Sequence, residues 1–528
     1  MNGKRPTISS MHGIVAAAHP HAAAAGASIL NQGGNAFDAA VAVAAALNVV
    51  EPYMSSLAGM GLATCWVAKE QRVRTLNFVP RIPAGFPVER FTSRDQLQRG
   101  AMSVGLPGNL AGWTELLRAH GRMSLADAFA PAIRLARDGY PVTEFNIHEN
   151  NLTEPEIRAH KALWGPWAKT YTDGSGTLTK GYVLRQRDLA RTLGDIGQSG
   201  PGDFYGRLVR HMGATGGCIT MADIEGYTPT WSEPATSRFR SLVVNVPPPP
   251  CEGFQFLLAL AILDGFNLGA MERNGVQHLD TVWRAIRLSA GERIASNNPS
   301  PAQLAEILSA ANVERLRARV RDGRPITGPT EQWMEPGPEP AGEHHTTSFS
   351  VADQDGNLIC LTQSIGSPYG SAVIVPETGV TLNNFLYWAD VQPGSPNRSK
   401  PGGVLPMCVS PSISLRDGKP VLALGTPGSY GIKQTQTQAM VQLVDFRLDI
   451  QDAIEEPRAR LWDGRKVLAE RRFDTATLDA LHKLGHEIEL GEAWTMKVGG
   501  MHGISIDPTT GAKTGGCDPR RDGYVVPA

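Results

Sequence analysis

Apolar side chains fall on every side of the stretch Ala36–Val50, whose only polar members, Asp38 and Asn48, stand near its ends. A pattern without a polar face predicts a helix buried all round, not an amphipathic helix on a surface. Before it, Ile14-Val15-Ala16-Ala17-Ala18 reads as a short strand. A helix follows from about His21 to Asn31, closed by Gly33-Gly34. After it, Leu62–Val67 and Val73–Phe78 read as strands that lead into the proline-stiffened turn Val79-Pro80-Arg81-Ile82-Pro83-Ala84. Helices are predicted over 110–120 and 124–138, the second with Ser124 as N-cap and Gly139 past its last turn. The chain from Glu144 to about Gly216 is mainly helical. A strand over 243–250 ends in four prolines, and Cys251-Glu252-Gly253 opens an apolar helix to about Leu263. A helix over 279–296 closes the helical half. From Thr346 onward the pattern turns to strands, at 373–376, 380–383, 412–415 and 421–425, with helices over 433–446, 452–459 and 475–484. No internal repeat interrupts this order. Strands with helices around them predict sheets faced by helices, an α/β layered body.

The change of pattern centres on Thr346-Thr347-Ser348-Phe349-Ser350-Val351, the turn Asp353-Gln354-Asp355-Gly356-Asn357, and Leu358-Ile359-Cys360-Leu361-Thr362-Gln363-Ser364. This is a hairpin: the arms are rich in strand formers, and Asp355-Gly356 supplies the positive φ of a tight turn. The stretch before it, Arg321 to Gly342, is crowded with Pro and Gly, the composition of an exposed loop that can be cut. A loop running into a Thr-headed strand fits an N-terminal-nucleophile enzyme. Cutting between His345 and Thr346 would free an α-amine with a pKa of roughly 7.7–8, able to take the Thr346 hydroxyl proton near neutrality. On residue type alone a Thr-Thr pair is ordinary strand material, so the reading depends on which other residues join it.

Size and charge narrow the classes. At 528 residues the chain exceeds a single core, so several domains or one large layered body is expected. With 50 Lys+Arg against 51 Asp+Glu, nothing recommends a nucleic-acid partner or an anionic membrane. The six cysteines are scattered without C-x-x-C and read as reduced thiols. The N-terminus lacks an apolar signal region and no window spans a bilayer, so a cytoplasmic protein without a membrane segment is expected. No cofactor or metal is called for. His344-His345 is a tempting metal pair, but strand neighbours point to opposite faces and H-E-x-x-H is absent. A serine hydrolase is disfavoured because Gly503-Ile504-Ser505-Ile506-Asp507 lacks the last Gly of G-x-S-x-G. A non-enzymatic binding protein remains as the bland alternative.

Several motifs then fall in one order: Glu51-Pro52 with Gly59-Met60-Gly61, Val104 to Gly108, Ala130 to Ala136, Pro247-Pro248-Pro249, Thr346-Thr347, Pro376 to Gly379 leading to Asn383-Asn384, Gly425-Thr426-Pro427-Gly428-Ser429, and Asp518-Pro519-Arg520-Arg521-Asp522-Gly523. In this the chain resembles the γ-glutamyltranspeptidase family over nearly its whole length, more weakly between Thr143 and Pro201. The resemblance implies a proenzyme that cuts itself before Thr346 and an αββα sandwich of the N-terminal-nucleophile hydrolase type. Residues 1–345 would form a large fragment and 346–528 a small one, still one integrated body. Thr346 matches the nucleophile, Ser364 a second hydroxyl near it, and Gly428 and Ser429 the pair whose N–H groups form the oxyanion hole.

The departures bear on substrate. Where the family holds a glutamate α-carboxylate with an Arg after Asn77-Phe78, this chain has Val79, with Arg81 two places on; its two carboxylate-binding Ser residues are Met407 and Cys408. The places that meet the α-amine beyond Asn384 hold Phe385 and Trp388, and an Asn has become Gly366. Without those polar partners free glutamyl groups should bind poorly, since each lost partner costs about 1–3 kcal/mol. The expectation is an amidohydrolase that forms an acyl-enzyme on Thr346 and uses water as acceptor. Its acyl group would be small and acidic, oxamate-like or a glutaryl amide; the alternative is a γ-glutamyltransferase or glutathione hydrolase. Arg81, Asn384, Phe385 and Trp388 would line the substrate side, with Arg81 pairing a substrate carboxylate. Both fragments would stay associated, leaving open a dimer of that heterodimer.

Overall fold

The computed structural model describes residues 5–328, 330 and 345–528. The Pro- and Gly-rich stretch from 331 and the pair Glu343-His344 lie outside the described residues. Fourteen strands build two seven-stranded sheets. In chain order they are β1 (Ile8–Ser10), β2 (Ile14–Ala17), β3 (Met60–Val67), β4 (Arg72–Phe78), β5 (Thr230–Ser232), β6 (Ala235–Phe239), β7 (Leu242–Val246), β8 (His345–Ala352), β9 (Leu358–Gly366), β10 (Ser412–Arg416), β11 (Lys419–Gly425), β12 (His502–Ile506), β13 (Lys513–Cys517) and β14 (Tyr524–Pro527). One sheet runs β14-β2-β8-β9-β3-β4-β5, and the other β1-β13-β12-β11-β10-β7-β6.

Strand alternation places the sheets face to face. Ile359 and Leu361 of β9 join a core beneath the Ala36–Val50 helix, whereas Leu358 and Cys360 meet Ile413, Ala423 and Ile504 of the other sheet. The second sheet carries its own helical layer through Phe254–Leu263, Val276–Ala295 and Gly431–Val444. The result is four layers, helix, sheet, sheet, helix, as expected.

The Ala36–Val50 helix is buried at every residue. Of its two polar residues Asp38 has structural work: it closes a capping box with Asn35 and accepts the N–H groups of Arg122 and Met123. The N–H of Ala36 donates to the Asp353 carboxylate at 2.8 Å, tying the helix start to the turn of the β8–β9 hairpin. That hairpin is thus fixed at its turn as well as along both edges.

The helical half does not close at Ser296. Pro301–Ile307 and Ala310–Arg321 follow, the latter capped by Ser309 and packed through Val313, Leu316 and Val320, a narrow stripe on an otherwise charged helix. The strand expected to reach Pro250 stops at Val246, because the prolines after it have no N–H for a ladder. Among the described residues no helix is long and apolar enough to cross a membrane, and no group of three or more His, Cys, Asp or Glu could hold a metal ion.

Candidate active site

β8 and β9 pair out of step at the head of β8. His345 faces Gly366 and Thr347 faces Gln363, so Ser364 and Ile365 both stand opposite Thr346. Such a bulge turns a side chain out of the regular ladder. The Thr346 hydroxyl donates to Ser364 Oγ over a long 3.3 Å. Ser364 Oγ in turn donates to the carbonyl of His345 at 2.8 Å and accepts the Gly366 N–H at 3.0 Å. One serine therefore links the nucleophile candidate to the carbonyl of the bond before it. The chain is continuous here, and Thr346 is only 5% exposed.

Three buried ionisable groups grip His345, Thr346 and Thr347. The His345 ring pairs with Glu149, Arg521 donates to the Thr346 carbonyl at 3.2 Å, and the Thr347 hydroxyl donates to Glu51 at 2.8 Å. Burial pushes the Glu51 carboxyl up to about 7, against the pull of the Thr347 hydroxyl and Arg521. Burial also acts to raise Glu149, but the charge and hydrogen bond of His345 outweigh it and hold that carboxyl below its usual range. Arg521 is aimed by the turn it belongs to: Asp518 pairs with Arg458 and, at 3.0 Å, with Arg520, and Arg520 reaches Glu470 at 2.6 Å. Despite burial, the flanking guanidiniums hold Asp518 well below the usual carboxylate range.

The Gly425–Ser429 loop leaves β11 beside β8. A Cβ on Gly425 would lie 2.3 Å from Ser348 Oγ, two residues along from Thr346, so only glycine admits this approach. Gly428 and Ser429 follow with φ of 129° and 53°, and among the described residues neither N–H finds an acceptor. Such free donors are what an oxyanion site requires.

Val79, Phe385, Trp388, Met407 and Cys408, from three separate segments, gather in a single buried apolar cluster with Met60, Leu62 and Tyr430. Trp388 covers the end of β9, since a Cβ on Gly366 would come within 3.2 Å of its ring. Asn384, next to Phe385, is committed to the protein: its amide donates to Gln98 O and Ser367 Oγ, and its oxygen accepts the Ser367 N–H. Beside Cys408, whose carbonyl accepts from Lys433 at 3.0 Å, Lys433 and Arg293 share Glu252, at 3.1 and 3.2 Å. Arg81 is half-buried and its carbonyl accepts the Leu106 N–H at 2.8 Å; its guanidinium lies 5.5 Å from the Tyr227 ring centroid and, among the described residues, makes no hydrogen bond or ion pair. Two cavities, of about 1120 and 1180 Å³, do not include Thr346 in their lining: the first is lined by residues such as Lys161, Arg187 and Glu377, the second by Arg240, Asp449 and Asp507.

Four layers of this kind, with a threonine at the head of a central strand, define the N-terminal-nucleophile hydrolase architecture. The chain belongs to the γ-glutamyltranspeptidase family, whose model matches residues 22–528. It is 31% identical over 545 residues to the acylase ACY 1 proenzyme of Pseudomonas sp. (strain SE83), covering 99% of this chain and 94% of that one. To the glutathione hydrolase proenzyme of Bacillus subtilis (strain 168) it is 30% identical over 544 residues, covering 97% and 91%. Cephalosporin acylase from Bacillus halodurans superposes with a TM-score of 0.90 at 28% identity, covering 100% and 97%. The protein is an enzyme of this hydrolase and acylase family.

Proposed function

We propose that the chain cuts itself before Thr346 and then hydrolyses the amide of a small acidic acyl group, oxamate-like or glutaryl. One observation carries the reading: Ser364 Oγ hydrogen-bonds both Thr346 Oγ1 and the His345 carbonyl oxygen. Thr346 Oγ1 attacks the His345 carbonyl carbon while Ser364 holds the developing oxyanion, and the hydroxyl proton passes to the Thr346 nitrogen as it leaves. The peptide C–N bond breaks and an ester remains on Thr346. Water hydrolyses that ester, leaving a carboxylate on His345 and a free amine on Thr346. In turnover the amine accepts the Thr346 hydroxyl proton, Oγ1 attacks the substrate amide, and the Gly428 and Ser429 N–H groups hold the oxyanion. Such donors are worth roughly 3–4 kcal/mol each. The leaving amine departs protonated, and water releases the acid.

The apolar wall of Val79, Phe385, Trp388, Met407 and Cys408 supports an acyl group without an α-amino acid, and the Arg81 guanidinium, which rests on the Tyr227 ring and pairs with no carboxylate among the described residues, would meet its carboxylate. A second reading, glutathione hydrolysis, has the Bacillus subtilis relative behind it. The deciding experiment has two parts. Wild type should give fragments of 345 and 183 residues, and Thr346→Ala a single chain; a cut elsewhere sinks the nucleophile assignment. Release of ammonia or amine from oxamate, glutaryl amides and γ-glutamyl anilide then separates the substrate readings, the anilide as best substrate favouring the second. Among the described residues no acidic or polar cluster replaces the lost recognition residues, so glycylglycine should not accelerate turnover; a severalfold gain would point to a transferase.

A further inference from the structure

We propose that Glu51 is a positioning residue for the nucleophile, anchoring Thr347 and receiving the ammonium that cleavage creates at Thr346. The inference rests on the self-cleavage reading above. His345, Thr346 and Thr347 are each held by a charged group from a different part of the fold: Glu149 in the helix Glu144–Ala159, Arg521 in the terminal turn, and Glu51 at the C-cap of the Ala36–Val50 helix. Among the described residues Glu51 Oε1, Glu149 Oε1 and Arg521 Nε find no hydrogen-bond partner, although all three atoms are buried. Buried polar atoms ordinarily are paired, so this cluster has capacity in reserve. Hydrolysis of the His345–Thr346 bond creates groups to fill it. The Thr346 nitrogen changes from one N–H to an ammonium with three, and His345 gains a carboxylate.

Glu51 is the better placed of the two acids for the ammonium. Glu149 already pairs with the His345 ring, on the far side of the bond that breaks. Glu51 grips the residue after Thr346, and consecutive Cα atoms lie about 3.8 Å apart. Its contact also crosses between the fragments, tying the new N-terminus to the large one. The groups around Glu51 are Arg521, which favours its charged form, and Asp522 and Glu149, which oppose it. Tyr53 and Tyr140 are pushed well above the usual phenol range by burial and stay neutral.

A carboxylate beside the ammonium raises the amine's pKa, and the two titrate as a coupled pair. The amine must be neutral to act as base, so it sets the acidic limb of kcat/KM against pH. The test compares that profile for wild type, Glu51→Gln and Glu51→Asp on the best amide of the panel, counting only chains whose small fragment begins at Thr346 by mass. Glu51→Gln keeps an oxygen for Thr347 but loses the charge, so its acidic limb should move down by about one pH unit. Glu51→Asp should stay near wild type. A limb that is unmoved or raised in Glu51→Gln, with correct fragments, overturns the proposal alone. Should Glu51→Gln not process, Thr347→Val replaces it, removing the anchor; a smaller downward shift is expected, and none overturns the proposal. A small fragment that begins elsewhere than Thr346 overturns both this and the functional reading.

Discussion

Ser364→Ala removes a side chain that touches both partners of the self-cleavage step. Its Oγ donates to the His345 carbonyl at 2.8 Å, a normal O–H···O distance, whereas its contact with Thr346 Oγ1 is long at 3.3 Å. The larger loss is therefore the donor to the oxygen that becomes negative. A preorganised donor of that kind is worth about 2.7–4 kcal/mol, so processing should slow by about 10²–10³-fold. A smaller cost falls on stability: the Gly366 N–H loses its acceptor at 3.0 Å in a buried place, about 1–3 kcal/mol. Freshly synthesised chain should be sampled over time, with precursor and fragments resolved on a denaturing gel and identified by intact mass. Ser364→Thr, which returns a hydroxyl, should recover most of the rate. If folded Ser364→Ala processes within about threefold of wild type, the His345 carbonyl is polarised by another group and the argument from this geometry fails.

Arg81→Ala should lose about ten- to a hundredfold in kcat/KM on carboxylate-bearing amides while still cutting itself, because cleavage involves no substrate carboxylate; unchanged kcat/KM on the best acidic amide would refute the pairing. Gly366→Asn returns the residue the family carries there, yet φ is 101° and its Cβ would lie 2.1 Å from the committed Asn384 Oδ1. It should cost about 2–5 kcal/mol, read as a lowered urea midpoint, with no gain in γ-glutamyl hydrolysis. In the uncleavable Thr346→Ala chain, Glu51 holds a proton up to about pH 7 that the unfolded chain releases near the ordinary carboxyl value of 4.5. Its contribution is thus full below about 4.5 and lost as pH rises through 7, about 2–4 kcal/mol, and adding Glu51→Gln should remove that fall; equal pH slopes in the two chains would contradict it.

The local pattern carried the fold far. All-round apolarity located the Ala36–Val50 helix to its ends, and the hairpin put Thr346 and Ser364 on facing strands because both arms count outward from one turn. It failed where the signal was thin. The Val313, Leu316, Val320 stripe is outweighed by the arginines around it, so Ala310–Arg321 was not legible. Val79, Phe385, Trp388, Met407 and Cys408 lie in three segments that no periodicity joins; only the resemblance suggested that they belong together. Glu51 and Arg521 stood inside quoted motifs without a role, since what they grip is a carbonyl or hydroxyl distant in the chain. Glu149 falls where the resemblance is weakest, and nothing in its surroundings marked it out.

The order of strands has a further consequence for a chain cut before Thr346. In the sheet that holds Thr346, the small fragment would border the large one at β14–β2, β2–β8 and β9–β3, and in the other sheet at β1–β13 and β10–β7. Neither piece would own a complete sheet, so each alone would expose open strand edges and half a core. Uncut chain refolds as a single molecule, at a rate independent of concentration. Once cut and unfolded, the pieces would have to find each other by diffusion, and their exposed edges would compete to aggregate. Maturation would thus turn a reversible fold into one assembled a single time, with activity lost to heat not returning on cooling.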